Sequence, residues 1–412
     1  MNILIITQFF PPEPVELYGD LALSLQSFGH KVQVITGFPN YPAGKIYKGY
    51  KLRPWMRENI NGMQVIRVPL FPDRSNSKIR RMANYISFAL SATLFAPFLT
   101  NKPDIIYAAH TPSTLGIPAY ILSRLWRIPF VSTVVDLWPE SLESMGYIPK
   151  GICSNFIKWA ETFIYGKSSY VRVITPGLRA NLLNKGVPSE KILFIPEWAD
   201  TETFRPVEYN KTLADDLGLS GKFNIVYTGN IGYAQGLDKL IDTAYELKNI
   251  KSLQLVFVGD GMEVDRIKKE VLSRGLNNIK FVGRVPKEQM SDIFSIADVL
   301  FLSLADKPVF RITIPHKLYA YLAGGKPILA SVEGDSADLI ESAKAGLVCS
   351  PSNPKDIADK IRIFLSLSKE DLLKMGQNGR DIAVKRYSRD IIVKQISDML
   401  IKIVARSNRE CV

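Results

Sequence analysis

Short, apolar, β-branched runs recur along this chain, separated by segments long enough for helices. The first series reads NILIIT (2–7), KVQVIT (31–36), MQVIRVP (63–69), DIIYAAH (104–110), FVSTVVD (130–136), YVRVIT (170–175) and ILFIP (192–196). The second follows the Phe204-Arg205-Pro206 stretch and reads FNIVYTG (223–229), LQLVFVG (253–259), NIKFVG (278–283), DVLFLS (298–303), PILAS (327–331) and GLVCS (346–350). Runs without polar alternation are expected where a strand is covered on both faces, as in a parallel sheet. The intervening segments predict helices, among them 79–98, 112–126 and 154–165. The expected class is α/β, with two doubly wound parallel-sheet domains. We place the boundaries at 1–203 and 204–385, with a helical tail over 386–412 returning to the first domain. Open parallel sheets bind ligands beyond the carboxyl ends of their strands. Two such sheets facing each other would enclose a cleft, and catalysis is expected there.

Composition narrows the chemistry. The chain has 412 residues, enough for two domains of usual size. Its three cysteines, Cys153, Cys349 and Cys411, are too few for a disulfide framework, and no CxxC pair suggests zinc. This usage fits a reducing, cytoplasmic setting. The chain opens on a strand-like run rather than the basic start and apolar core of a secretory signal. The net charge is +12, and residues 31–81 hold 11 Lys+Arg against Glu58 and Asp73. Such a block suits an anionic membrane surface or a phosphate-bearing partner. Nucleic acid is not expected, since no RRM, KH, zinc-finger or helix-turn-helix signature accompanies the charge. Residues 82–101 are uncharged but contain Asn84, several Ser and Thr residues and Pro97. We expect this helix to pack on the first sheet, with the basic end at Lys78, Arg80 and Arg81 touching a membrane.

The familiar catalytic fingerprints are missing. The chain has no P-loop, GxSxG, HExxH or DxD, and no GxGxxG follows its first strand. What remains is a set of strand-end loops. TGNIGYAQGLDKL (228–240) is a strand end, a glycine-bearing loop and a helix start, where backbone amides attract phosphate. VGDGMEVDRI (258–267) repeats that layout, and VGRVP (282–286) puts Arg284 just past a strand. RITIPHKLYAYLAGGKPIL (311–329) sets Arg311, His316 and Lys317 before a short helix. Cations there could neutralise a leaving diphosphate without a metal.

These segments resemble the retaining glycosyltransferases of family 4, which have the two-Rossmann-domain GT-B architecture. The likeness extends from residue 1 to about 390 through ITGFPNYPAGKIYKGY (35–50), NGMQVIRVP (61–69), RRMANYISFALSA (80–92), VVDLWPESL (134–142), TPGLRANLLNKGVP (175–188), YTGNIGYAQGLDKLI (227–241), FVGDGME (257–263) and PHKLYAYLAGGKPILAS (315–331). It is nearest to the L-fucosamine and fucosyl transferase subgroup of bacterial O-antigen, capsule and colanic-acid loci. The resemblance implies a nucleotide-sugar donor on the second domain and a lipid-diphosphate-linked saccharide acceptor on the first, with neither metal nor cofactor. The enzyme would sit on the inner face of the cytoplasmic membrane, with other polysaccharide-assembly enzymes as further partners. His110, Asp136 and Lys317 are the implied catalytic residues. Donor contacts would come from Gly229, Asn230, Gly232, Gln235, Gly236, Gly259, Asp260, Arg284, Val285, Arg311, His316 and Leu318. Acceptor contacts would come from Glu13, Asn40, Tyr41, Asn84 and Glu140. His30 reads as structural.

The chain departs from the family pattern at several places. Ile312 and Ala320 stand where the two carboxylates of a Glu-x7-Glu motif are expected. Glu333 and Glu341 have that spacing but lie past the next strand. Asn230 and Gln235 replace a basic pair, and Pro14-Val15-Glu16 replaces a Gly-Gly loop. The donor expected first is UDP-N-acetyl-L-fucosamine, with UDP-N-acetylhexosamine and GDP-L-fucose as alternatives. Two competing functions share the layout: a nucleotide-sugar 2-epimerase and a non-catalytic nucleotide-sugar-binding subunit.

Overall fold

The computed structural model describes residues 1–73, 77–109, 112–138, 140, 143 and 151–410. It divides into two compact units, Met1–Pro196 with Ile392–Val412, and Glu197–Ile391. The breaks fall at 196/197 and 391/392, against 203/204 and 385/386 read from the sequence. Backbone pairing explains the first shift. Ala199 donates its N–H to the Tyr387 carbonyl at 2.6 Å and bridges Ser388, which ties this stretch to the second unit.

The first unit is built on strands β1 (Asn2–Ile6), β2 (Lys31–Gly37), β3 (Met56–Ile60), β4 (Met63–Val68), β5 (Ile105–Ala109), β6 (Phe130–Val134), β7 (Tyr170–Val173) and β8 (Ile192–Phe194). Their spatial order is β3-β4-β2-β1-β5-β6-β7-β8. Every pairing is parallel except β3 with β4. The sequence reading had no strand over 56–60. MRENI alternates between half-buried and exposed at the sheet edge, so it lacks the apolar run that marks the others. The available signal was Asn61-Gly62, whose φ values of 52° and 82° form the two-residue turn that suits a hairpin. Arg67 on β4 fastens this edge from a fully buried position. Its guanidinium pairs with Glu58 on β3 and donates to the carbonyls of Gly37 at 3.1 Å and Pro11 at 2.5 Å.

The second unit has a six-stranded sheet, β9 (Phe223–Thr228), β10 (Leu253–Val258), β11 (Ile279–Gly283), β12 (Val299–Ser303), β13 (Ile328–Ser331) and β14 (Gly346–Cys349), in the order β11-β10-β9-β12-β13-β14. All its pairings are parallel. Neighbouring residues of one strand feed opposite cores. Val226, Val256 and Leu300 join one apolar cluster, while Ile225, Tyr227, Leu255 and Phe301 join another. This is why the strands read as unbroken apolar runs.

The helical tail breaks at Ser388 into helices Lys369–Tyr387 and Arg389–Glu410. The second of these belongs from Ile392 onward to the first unit. There His30, 8% exposed, bonds Ser397 Oγ through Nε2 at 2.7 Å. Burial lowers the His30 pKa.

Candidate active site

In the second unit the loops after β9, β10 and β11 and the helix His316–Gly324 meet at the carboxyl edge of the sheet. Lys317 sits at the start of that helix. Its Nζ donates to the Tyr227 hydroxyl at 2.7 Å and lies 4.0 Å from that ring's centroid. Tyr227 in turn donates to the Asn230 carbonyl at 2.5 Å, so the lysine is tied to the loop it faces. A Cβ placed on Gly229 would come 3.2 Å from Nζ. No carboxylate pairs with Lys317 among the described residues, and burial drives its pKa from 10.5 to about 7. Burial also raises both neighbouring phenols, Tyr227 strongly and Tyr321 to about 12. Tyr321 accepts the Thr228 N–H at 2.9 Å, which fixes the end of β9.

Gly259 has a packing reason to be glycine. Its φ is +138°, and a Cβ there would stand 1.9 Å from the Gly229 carbonyl oxygen. The two strand-end loops therefore touch backbone to backbone. Their amides are partly consumed by this contact. Gly229 N–H bonds Val258 O at 2.8 Å, Ile231 N–H bonds Asp260 O at 2.9 Å, and Gln235 and Gly236 bond Gly232 and Tyr233. Four of the amides expected to cradle phosphate are thus committed within the fold. The Asn230 and Gln235 side chains face each other at 3.4 Å.

Other donor candidates fare differently. Arg284 is 81% exposed and lies 3.9 Å from Asp260, a loose pair open to exchange. His316 is exposed at the helix start. Arg311 is already neutralised: Asp306 at 3.1 Å and Glu333 at 2.9 Å hold its guanidinium. The sequence places Arg311 among the cations facing a leaving diphosphate; in the structure Asp306 and Glu333 already occupy its guanidinium. Leu318 is fully buried in the apolar core and its N–H bonds Pro315 O. Val285 also packs against the apolar cluster.

In the first unit, the expected acceptor residues hold up loops. Glu13 is 3% exposed, and its carboxylate accepts N–H groups of Phe10 at 3.1 Å, Asn40 at 2.8 Å and Tyr41 at 2.8 Å. Burial raises its pKa despite these bonds. Asn40 donates to Phe38 O at 3.0 Å. Asn84 accepts from Gln8 at 2.6 Å and donates to Phe71 O at 2.6 Å. These three are buried positioning residues, and Tyr41, half-buried against the Phe9 ring, is the one with an accessible face. Glu140 pairs with Lys185 at 2.8 Å, and Lys185 also holds buried Glu161 at 2.9 Å. Burial opposes the Lys185 charge, but Glu161 and Glu140 carry its pKa above the ordinary value. Glu140 thus joins a structural ion network through Oε1, while its Oε2 has no hydrogen-bond partner among the described residues. Asp136 is half-buried just beyond β6, at the carboxyl edge of the first unit's own sheet. His110 lies outside the described residues.

Sequence reasoning missed Tyr227 as the partner of Lys317. Its only signature is one aromatic in an apolar strand, which reads as core. No group of three His, Cys, Asp or Glu side chains that could hold a metal ion occurs among the described residues.

Comparison with known proteins agrees with this arrangement. Residues 17–198 match the family described as glycosyl transferase 4-like domain, and residues 211–382 match glycosyl transferases group 1. The chain is 26% identical to the probable glycosyltransferase WbjE of Pseudomonas aeruginosa, over 82% of this chain and 84% of that protein. It is 26% identical to the putative colanic acid biosynthesis glycosyl transferase WcaI of Escherichia coli K12, over 96% and 98%. Among solved structures, Anabaena HepE in complex with UDP superposes with a TM-score of 0.73 at 17% identity, covering 98% of this chain and 100% of that one. Sucrose-phosphate synthase of Thermosynechococcus elongatus gives 0.75 at 18%, covering 98% and 99%. These likenesses establish the fold as two parallel-sheet Rossmann-like domains of the GT-B type. The chain therefore carries a glycosyl transferase 4-like domain over residues 17–198 and a glycosyl transferases group 1 domain over residues 211–382.

Proposed function

We propose that the protein transfers a sugar, with retention and without a metal, from a UDP-sugar to a lipid-linked saccharide in bacterial surface-polysaccharide assembly. N-acetyl-L-fucosamine is the first sugar to test. The observation that carries the reading is Lys317: a half-buried side chain whose Nζ lies on the Tyr227 ring and hydroxyl, with no carboxylate partner among the described residues, held against the Gly229 loop. A partly desolvated cation without a counter-charge is disfavoured until an anion reaches it. A donor diphosphate brings that anion, and its charge grows as the glycosidic bond breaks toward an oxocarbenium-like state. Lys317 therefore stabilises the leaving group more than the ground state. Arg284, loosely paired, can swing from Asp260 to the same oxygens. The leaving phosphate itself would take the acceptor proton, so no protein nucleophile is required. The likeness to WcaI, a putative colanic acid biosynthesis enzyme, supports a place in polysaccharide synthesis, and the HepE complexes support UDP.

The test is UDP release from a donor panel in the presence of EDTA, with and without lipid-linked acceptor. Acceptor-dependent release and a product of unchanged anomeric configuration support the proposal. A requirement for added divalent cation contradicts it, and so does donor isomerisation without acceptor.

A further inference from the structure

The first unit carries a surface that sugar transfer does not use. Helices Lys78–Leu99, Gly116–Trp126 and Ile152–Lys167 lie side by side, the first two in contact and the last two joined by Tyr120 and Phe163 at 5.7 Å. Each follows a parallel strand, so right-handed crossovers put all three on one face of the sheet. The longest helix is apolar on both sides. Phe88, Ala89, Ala92 and Ala96 are buried toward the sheet, while Leu90, Leu94 and Phe98 are 64, 61 and 80% exposed. Leu125 and Trp159 continue the outward surface, 59 and 62% exposed. A contiguous apolar face of this kind needs a partner.

Charge identifies which partner. The three helices contain one carboxylate, Glu161, and it is buried against Lys185. Where the second and third helices end, at the amino edge of the sheet, a cavity of about 780 Å³ is lined by Arg124, Arg127, Lys167, Lys191 and Arg406, with Glu190 the sole acid. Lys191 donates to Gly166 O at 2.7 Å and Arg406 to the Tyr170 hydroxyl at 2.6 Å. Arg124, Arg127 and Lys167 form no ion pair among the described residues. A second copy docked face to face would bring no surface carboxylate from these helices to meet the cations. An anionic bilayer offers both an apolar boundary and phosphate headgroups.

We propose that this three-helix face lies in the plane of an anionic membrane, with Leu90, Leu94, Phe98, Leu125 and Trp159 at the headgroup–acyl boundary and Arg124, Arg127 and Lys167 on lipid phosphate. The helix Lys78–Leu99 is long and apolar enough to cross a bilayer, but its inner side belongs to the protein core. It therefore binds as a surface element. This differs from the expected contact through the basic start of that helix alone. The inference rests on the proposed reading for its purpose, the capture of a lipid-borne acceptor. Vesicle binding is measured without donor or acceptor, so the two can fail separately.

The experiment is co-sedimentation of the full-length protein with vesicles of phosphatidylcholine, alone or mixed with phosphatidylglycerol. Binding to the mixed vesicles should be roughly tenfold tighter or more, and should weaken with salt. Leu94→Glu with Trp159→Glu should abolish it at an unchanged melting temperature, because both sites are exposed. Arg124→Glu with Arg127→Glu should remove the preference for anionic lipid, and decides the matter even if the first variant misfolds. Wild-type protein left in the supernatant, or equal binding to both vesicle types, overturns the proposal. A dimer dissociated by Leu94→Glu, or membrane protein resistant to alkaline carbonate extraction, does so as well.

Discussion

In the proposed mechanism Lys317 carries most of the charge stabilisation. Its pKa of about 7 in the folded protein lies below the ordinary 10.5, so the unfolded chain keeps this proton to higher pH. The ammonium's burial cost is present below pH 7 and is relieved between pH 7 and 10.5. Lys317→Ala should therefore be no less stable than wild type at pH 6, while kcat/KM falls on the order of a hundredfold, typical of losing one charge-stabilising donor. Thermal melts and initial rates on the same samples check this. A bound diphosphate restores the proton, so UDP affinity should fall above pH 7 by up to about tenfold per unit. Calorimetric titration between pH 6 and 9 reads this slope, and Lys317→Ala should flatten it. Glu13 tests the opposite kind of residue. Its carboxylate accepts three backbone N–H groups, and Glu13→Gln would aim an amide N–H at one of them. A loss of about 1–3 kcal/mol is expected on denaturant unfolding, the usual cost of an unsatisfied buried donor.

The loops after β9 and β10 work as a pair because two glycine backbones touch. Gly259→Ala would press a methyl onto the Gly229 carbonyl, which a Cβ at Gly259 would approach to 1.9 Å. It should destabilise by about 1–3 kcal/mol or more and weaken UDP binding, since the displaced loop carries Asn230, the anchor of Tyr227. Denaturation and calorimetry measure the two effects. At this scale the sequence was only partly legible. Strand-end glycines and the cations at Lys317 and Arg284 announced an anion site through local spacing. The spacing does not show that Asp306 and Glu333 quench Arg311, because those three residues meet only when β12 and β13 stand side by side. Likewise Asn84 Oδ1 is taken by an N–H from Gln8, 76 positions away. The missed strand β3 failed for a different reason: an edge strand needs no unbroken apolar run.

Across the whole molecule, the two parallel sheets were readable because strands covered on both faces must be apolar throughout. The return of the chain to the first unit depends on one helix, Arg389–Glu410, with Ile392, Ile396 and Leu400 fully buried. Ending the chain at Ile391 would delete these side chains, each worth roughly 1.5–3 kcal/mol of burial, and uncover the apolar surface they pack on, so the first unit should unfold at lower temperature in a calorimetric scan. The outward face of the three-helix layer was not legible as a surface, because the sequence shows that a helix is apolar but not which side the core takes. In the proposed function, unit two grips a nucleoside diphosphate with half-buried Lys317 and loop backbone. Calorimetry with UDP in EDTA, comparing wild type and Lys317→Ala, tests it most directly. Wild-type binding that weakens at least about tenfold in the variant is the expected result; no UDP binding by the wild type, or equal affinity in both proteins, would contradict it.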